Sequence, residues 1–590
     1  MKKQIIFYSV FLGSLINSSL ISSPDLFIDS SCPQTCKKSQ NFFHMRAFSS
    51  SSIREIEMLK AMYMNDKPNQ HGWRKTFASA LEYMVNFGCG DGCNNNLGSL
   101  PFWSGTNSMT YGTNDGESDV DGYQFGMGEL SDQGVIELNV NIMQVACDMI
   151  FHATHRKGHH GFYCTIRAPL GAMTVQTNFK EDVASLNVTA EETLNATWLS
   201  YPSAKDRYQT LTEAFQTGVV SEGNSPLFIH SGTHRPFALD KSRFAGFRMT
   251  AIRLADLCAS FGYTFYADND DNFVNLGAKF LAPTGNVPTG RYVLEPVFGH
   301  ASMWGVGIEL LGHYKLWEDA RKDRGLDFWV MSDAMHLCSG RKPNFRTFDL
   351  KLNGLGSKYL LVQKYFPSTP SSTNSTGAIP SYITQAANIT TMPVISGFNL
   401  ESTVAVLFDF HERNWNFAIG SEFWYRSKEN LSIDAAHLLD VETVTLHEYV
   451  VLGRQVSDDA RSFMLDPNQD ILSLHLCEPL ATINKSIARV NGVGTPPAAL
   501  TYPVTIPEGV EDARLAGSRI PKDMNEALDV PGAAAEQAMT AKLSGQFGYT
   551  WKEYRLTPNL AFLGNVEWAL GGGNAMINTY SVGVQGSLNF

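Results

Sequence analysis

Apolar and polar residues alternate along this chain in short, repeated stretches, and the final one, 541–590, shows the pattern best. Leu543, Phe547, Tyr549 and Trp551 share one face of a strand; Leu560, Phe562, Val566, Trp568 and Leu570 share the next; Tyr580, Val582, Val584, Leu588 and Phe590 share a third. The opposite faces carry Lys542, Ser544, Gln546, Asn565, Glu567, Thr579, Ser581, Gln585 and Asn589. An apolar face that turns aromatic at both ends predicts a wall against lipid, with aromatic girdles at the two interfaces. With Trp551 set opposite Leu560 across 552–559, odd residues meet even ones and both apolar faces fall on one side.

The same alternation recurs upstream. Phe77, Leu81, Tyr83, Val85 and Phe87 form a first strand within 73–87, and Met143, Val145, Cys147, Met149 and Phe151 pair with Phe162, Cys164, Ile166, Ala168 and Leu170 across a turn near Arg156. Before Met143 the apolar phase is even (Ile136, Leu138, Val140, Ile142), which predicts a β-bulge. Further strands are expected over 255–265, 274–280, 302–317, 326–338, 404–410 and 415–425, with shorter candidates at 345–352 and 359–366 and a weak hairpin within 470–490. The stretches 177–242, 367–393 and 492–540 have loop chemistry. Within 24–72 only Ile53, Ile56, Leu59, Met62 and Tyr63 show a helical stripe, which predicts a short helix on the barrel rim or inside it as a plug.

A terminal phenylalanine with Leu588, Val584, Val582 and Tyr580 at alternate positions before it resembles the closing strand of bacterial outer-membrane β-barrel proteins, the porins and long-chain fatty acid transporters among them. The resemblance implies an all-β fold: a transmembrane antiparallel β-barrel of about 16 strands, or 14 without the weak hairpin, with long external loops and short periplasmic turns. It also implies that Tyr580, Leu588 and Phe590 act as an assembly signal for the barrel-assembly machinery, in an outer membrane of bilayer and lipopolysaccharide, as a monomer or a homotrimer. Three parts follow: a signal peptide over 1–23, a periplasmic or plug segment over 24–72, and the barrel from 73 to 590. Lys2 and Lys3 before the apolar run 5–21 support the first of these.

Composition narrows the function. A net charge of −12, with no basic block, excludes a nucleic-acid partner. Among nine cysteines, the close pairs Cys32 with Cys36 and Cys89 with Cys93 are candidate disulfides in an exported chain. Their loose spacing does not favour zinc, and no metal or cofactor is expected. The acidic run Glu117, Asp119, Asp121, Gly122 lacks the distal glutamate of a calcium loop, and the histidines 152, 155, 159 and 160 read as a polar turn. No catalytic signature such as G-x-S-x-G or H-E-x-x-H occurs, so an enzyme is not expected. The expected function is a porin-like channel for passive passage of small solutes, with Asp148, Arg167, Asp256, Lys279, Glu309, His313, Lys315, Glu422, Arg426 and Glu567 lining the pore. The alternative is a plugged surface barrel acting as an adhesin or coat protein.

Overall fold

The structure, a computed structural model, describes residues 45–60, 72–89, 97–112, 116–125, 132–157, 159–185, 210–217, 239–267, 272–321, 323–340, 342–366, 379–438, 446–454, 475–477, 480–485, 520–554, 556–570 and 576–589, with Met127 and Leu130. Alternation of residues that satisfy lipid on one side and polar groups on the other produces strands, and the strands close on themselves. They are β1 (Gly72–Cys89), β2 (Gly134–Lys157), β3 (His160–Asp182), β4 (Leu257–Ala267), β5 (Phe273–Ala282), β6 (Trp304–Glu318), β7 (Arg324–Cys338), β8 (Thr391–Glu412), β9 (Trp415–Arg426), β10 (Ala538–Thr550), β11 (Asn559–Ala569) and β12 (Ile577–Asn589). Each pairs antiparallel with its neighbour in chain order. β12 then pairs with β1, Leu81 opposite Val584, so no edge is left open.

The barrel therefore has twelve strands, not 16 or 14. The residues that inflated the count belong to the loops. Asn344–Thr347 only extends the pairing of β8, at 391–394. Leu361–Phe366 joins Ile379–Gln385, Tyr449–Arg454 and His475–Cys477 in a separate small sheet. Alternation reports that one face of a strand is packed, and a loop sheet meets that condition as well as a membrane wall does. The stretch 367–393 is accordingly not loop throughout.

Turns and loops separate by end. The connections after β2, β4, β6, β8 and β10 are short and lie at one end of the barrel, which we call the turn end. The long connections after β1, β3, β5, β7 and β9 lie at the other, the loop end. This is the asymmetry expected from the sequence. The last hairpin differs from expectation in detail: Tyr549, not Trp551, sits opposite Leu560, a two-residue offset that keeps both apolar faces outward.

The outer wall is apolar from girdle to girdle. Trp73, Phe162, Phe265 and Trp415 stand exposed toward the turn end, Leu81, Ile166, Ile308 and Val582 in the middle, and Phe87, Trp304 and Tyr580 toward the loop end. Ile308 is 61% exposed and Val582 57%, within a continuous exposed apolar band of the kind a lipid-facing wall presents. Among the described residues no helix is long and apolar enough to cross a membrane.

Two cores fill the inside. Near the loop end, Phe102, Phe125, Phe244 and Tyr359 gather around Phe215 of α2 (Leu211–Thr217), and this apolar cap continues down to Ile136, Leu138, Val140 and Ile142 of β2. Those four residues do not mark a bulge. β2 keeps one continuous register with β3 from Val135 to Lys157, and its even residues from Ile136 to Thr154 are all buried inside. The apolar phase changes because the strand leaves the membrane: inside it meets the cap, outside it meets water.

Candidate functional site: the filled lumen

The second core is the lumen at membrane depth. Its occupant is the chain itself. Residues 45–60 lie inside the barrel as a 3-10 turn (Phe48–Ser50) followed by α1 (Ser52–Leu59), every residue of which is buried. A helix of eight residues has little stability of its own. Here Glu422 of β9 supplies an anion at its N-terminus, accepting from Ser52 N–H at 2.6 Å, and Lys60 closes its C-terminal end.

One side of α1 is apolar. Ile53, Ile56, Met58 and Leu59 pack on Phe273, Leu311, Trp329, Met331 and Leu407. This explains why 326–338 is apolar on both faces: one faces lipid, the other the helix. The wall also makes room with small inward residues, Ala78, Ala80, Ala405 and Ala418. At Gly420 a Cβ would stand 2.5 Å from Ile53 Cδ1, so a larger residue there would force the Ile53 side chain to shift.

The remaining sides are ionic. Arg54 pairs with Glu82 of β1 and, at 3.4 Å, with Glu57 one turn along the helix. Lys60 reaches Asp409 of β8 at 2.7 Å, and Arg46 reaches Glu422 at 2.7 Å and Glu567 at 2.8 Å. Arg167 of β3 holds Asp148 at 2.6 Å and donates to the carbonyls of Ser49 and Ser51 at 2.9 Å. Lys279 of β5 sits among Asp333 at 2.6 Å, Glu309 at 3.4 Å and Glu55 at 3.5 Å. Between Arg46, Arg54, Met84, Gln144 and Lys542 a cavity of about 50 Å³ remains, enough for ordered water.

At the upper end of the segment His300 acts as a latch. Its Nδ1 lies 2.7 Å from Asp256 Oδ2, and its Nε2 lies 3.2 Å from Glu401 Oε1 and 3.1 Å from Ser50 Oγ. Burial alone would lower the imidazole, but Glu401 and Asp256 outweigh it and push His300 up to about 10. Gly299, at φ 117°, brings the ring into place; a Cβ there would lie 2.8 Å from Asp256 Oδ2. Serine, histidine and aspartate stand in the order of a nucleophilic triad, yet Ser50 donates its proton to Glu401 at 2.5 Å and both Ser50 and His300 are buried.

The ten expected pore residues are all inside. Asp148, Arg167, Lys279, Glu422 and Glu567 make the contacts above. Glu309 faces Lys279 and Tyr163, and His313 lies 3.4 Å from Asp327. Asp256 sits just before β4 on His300, and Arg426 stacks on Phe398 with 4.4 Å to the ring centroid. Lys315 pairs with Glu318 near the turn end. They surround a filled lumen. Sequence reasoning missed their partners Arg46, Arg54, Glu55, Glu57 and Lys60, although charges on several sides of a helix with an apolar stripe were a signal that it enters a charged environment.

The other sequence expectations are scattered. Tyr580 and Leu588 face outward, while Phe590 and the side chains of Cys32, Cys36, Cys89 and Cys93 lie outside the described residues. The carboxylate of Asp119 accepts from Thr110 N–H at 3.0 Å. His152 turns inward to Thr165, His155 lies against Trp73, and His160 stacks on Tyr263. Among the described residues no three His, Cys, Asp or Glu side chains converge as metal ligands.

No protein-family model matches the sequence, and no curated protein does. Among solved structures the chain is similar to an outer membrane channel from Pseudomonas putida F1, with 7% identity over 89% of this chain and 98% of that one at a TM-score of 0.34. It is also similar to the toluene transporter TbuX of Ralstonia pickettii (10%, 88% and 90%, 0.23) and a FadL homologue of Pseudomonas aeruginosa (8%, 88% and 90%, 0.25). The barrel assignment rests on this chain's own strand pairing and its exposed apolar wall.

Proposed function

We propose, from the premise that the chain is an outer-membrane β-barrel protein, that it is a gated channel for small solutes whose lumen is held closed by residues 45–60. The observation that carries this reading is the chemistry of the seal. Releasing the segment would wet the apolar stripe of α1 and its seat around Trp329 and Met331, which keeps the closed state favoured. The other sides are ionic: buried pairs add little net stability, and both partners are well solvated once water enters, so the closed state is not permanent. The wall left behind would carry charges of both signs, so strong selection for one ion sign is not expected. The loop-end cap borders the same lumen as a separate apolar core. The reading gives the protein no enzymatic role.

Single-channel recording in planar bilayers tests it. Arg46→Ala with Arg54→Ala should turn a mostly closed wild type into one with frequent open steps. Ser52→Cys with Thr403→Cys, which joins two side chains already in hydrogen-bond contact, should lock the lumen until reductant is added. If the loosened variant, still heat-modifiable on a denaturing gel, never conducts, the barrel is a surface scaffold and the adhesin reading replaces this one.

A further inference from the structure

The chain is acidic overall, yet one segment at the loop end gathers four cations against a single carboxylate, Asp240. The segment 239–254, between β3 and β4, carries Lys241, Arg243, Arg248 and Arg253, and it is clipped to a second segment that carries Arg291 and Tyr292. The clips are backbone hydrogen bonds: Arg243 N–H donates to the Arg291 carbonyl at 3.1 Å, and Val293 N–H to the Arg243 carbonyl at 2.9 Å. The two guanidinium groups of Arg243 and Arg248 then share one aromatic ring, 4.8 Å and 3.9 Å from the centroid of Tyr292, and both donate to its hydroxyl.

What these cations lack is an anion. Among the described residues no carboxylate forms an ion pair with Arg243, Arg248 or Arg291, and Arg243 Nε has no hydrogen-bond partner. Of the two carboxylates nearby, Asp240 acts on Lys241, and Glu295 is committed to Thr289, accepting from its N–H and hydroxyl at 2.8 Å and 3.0 Å. Burial, and then the charge of Arg291, push the Lys241 ammonium down, against the opposing pull of Asp240 and Glu295. Two arginines held side by side without a carboxylate form a ready-made phosphate clamp.

Its position says what kind of phosphate. The strand Phe247–Met249 pairs with residues 174–176 of β3. From Phe162, at the turn-end girdle, to Thr174 the strand climbs roughly 30 Å at the usual rise and tilt of a barrel strand, against an apolar band of about 25 Å. The clamp therefore lies level with the headgroups of the outer leaflet. On the same short segment Phe247, Met249 and Ile252 are exposed, Ile252 at 72%. Along the strand Phe247 and Met249 take one face and Arg248 the other, so acyl chains and a phosphate can straddle the edge that pairs with no other strand among the described residues.

We infer that this edge binds a phosphorylated glycolipid of the outer leaflet, with the phosphate on Arg243 and Arg248 beside Tyr292 and the acyl chains on Phe247, Met249 and Ile252. The inference rests on the outer-membrane reading and not on the gate. It is tested on the full chain in detergent by native mass spectrometry, with diphosphorylated lipid A as the probe. Wild type should retain the lipid, and Arg243→Gln with Arg248→Gln should lower retention about tenfold, as expected for one or two lost charge-assisted contacts. Phe247→Ser with Met249→Ser should lower it too, and dephosphorylated lipid A should bind no better than to the arginine variant. Retention equal to wild type in both variants overturns the site. Full displacement by inorganic phosphate makes it a soluble-anion site, and equal competition by phosphatidylglycerol makes it a general anionic surface; either result overturns the glycolipid assignment. Heat-modifiable migration of each variant separates these failures from failure of the barrel itself.

Discussion

β2 passes through two interiors on the same inward face. Near the loop end it presents Ile136, Leu138, Val140 and Ile142 to an apolar cap; further down it presents Gln144, Asp148 and His152 to a charged lumen. The strand geometry is identical in both halves, and the register never slips. Only the neighbour changes. The cap is made of loop segments that need a core to hold them, whereas the lumen is filled by a segment held by an apolar stripe on one side and by ion pairs on the others.

The largest expected effects come from removing the central group of each interior. Arg54→Ala strands two buried carboxylates, Glu82 and Glu57, and should weaken plug docking by about 3–5 kcal/mol, the usual cost of breaking a buried pair from one side. Open-channel probability reports it, with the barrel still heat-modifiable. Phe215→Ala empties the centre of the cap at a cost of about 3–5 kcal/mol, and should expose loop-end segments to protease while conductance stays near wild type. If the two variants gave the same phenotype, the interiors would be one cooperative unit and the comparison would fail.

A smaller effect separates the wall's two faces. Val584→Arg, on the lipid side, should destabilise the barrel by about 2–4 kcal/mol in a refolding titration. The adjacent Gln585 looks harmless in sequence, as a residue facing water in an open pore. In the structure it is fully buried and donates to the Glu57 carbonyl at 2.9 Å, so Gln585→Arg should open the channel more than it unfolds the barrel.

The smallest effect is set by pH. His300 is raised in the folded protein above its ordinary value of 6.5, to about 10. Its hold on Ser50 and Glu401 is thus complete below pH 6.5 and is lost as pH rises toward 10. Open probability should increase over that window in the wild type. In His300→Gln the increase should be absent.

Much of the outer surface was legible because lipid imposes one rule on every strand: alternate side chains are apolar and the ends are aromatic. Leu81, Ile308 and Val582 obey it and point where their phase says. The inner face obeys no single rule. Trp329 and Met331 are apolar because α1 is opposite, Leu138 is apolar because the cap is opposite, and Asp333 is charged for Lys279. Phase alone cannot distinguish these neighbours, nor tell the strand Leu361–Phe366 of the loop sheet from a strand in the wall. The partners of the ten inward residues were hidden for the same reason. Several of them lie on the segment 45–60, hundreds of residues away in sequence, as Arg46 is from Glu567.

The helix α1 ends at Leu59 and β1 begins at Gly72, a dozen residues on. A tether that short cannot span more than about 45 Å at full stretch, at roughly 3.5 Å per residue. A plug that leaves its seat therefore cannot diffuse away, and it faces its own binding site at an effective concentration of about a millimolar. Reclosure is then a first-order event independent of protein concentration. Openings should be brief and self-terminating, with dwell times that shorten when residues are removed from 61–71 and lengthen when flexible ones are inserted there.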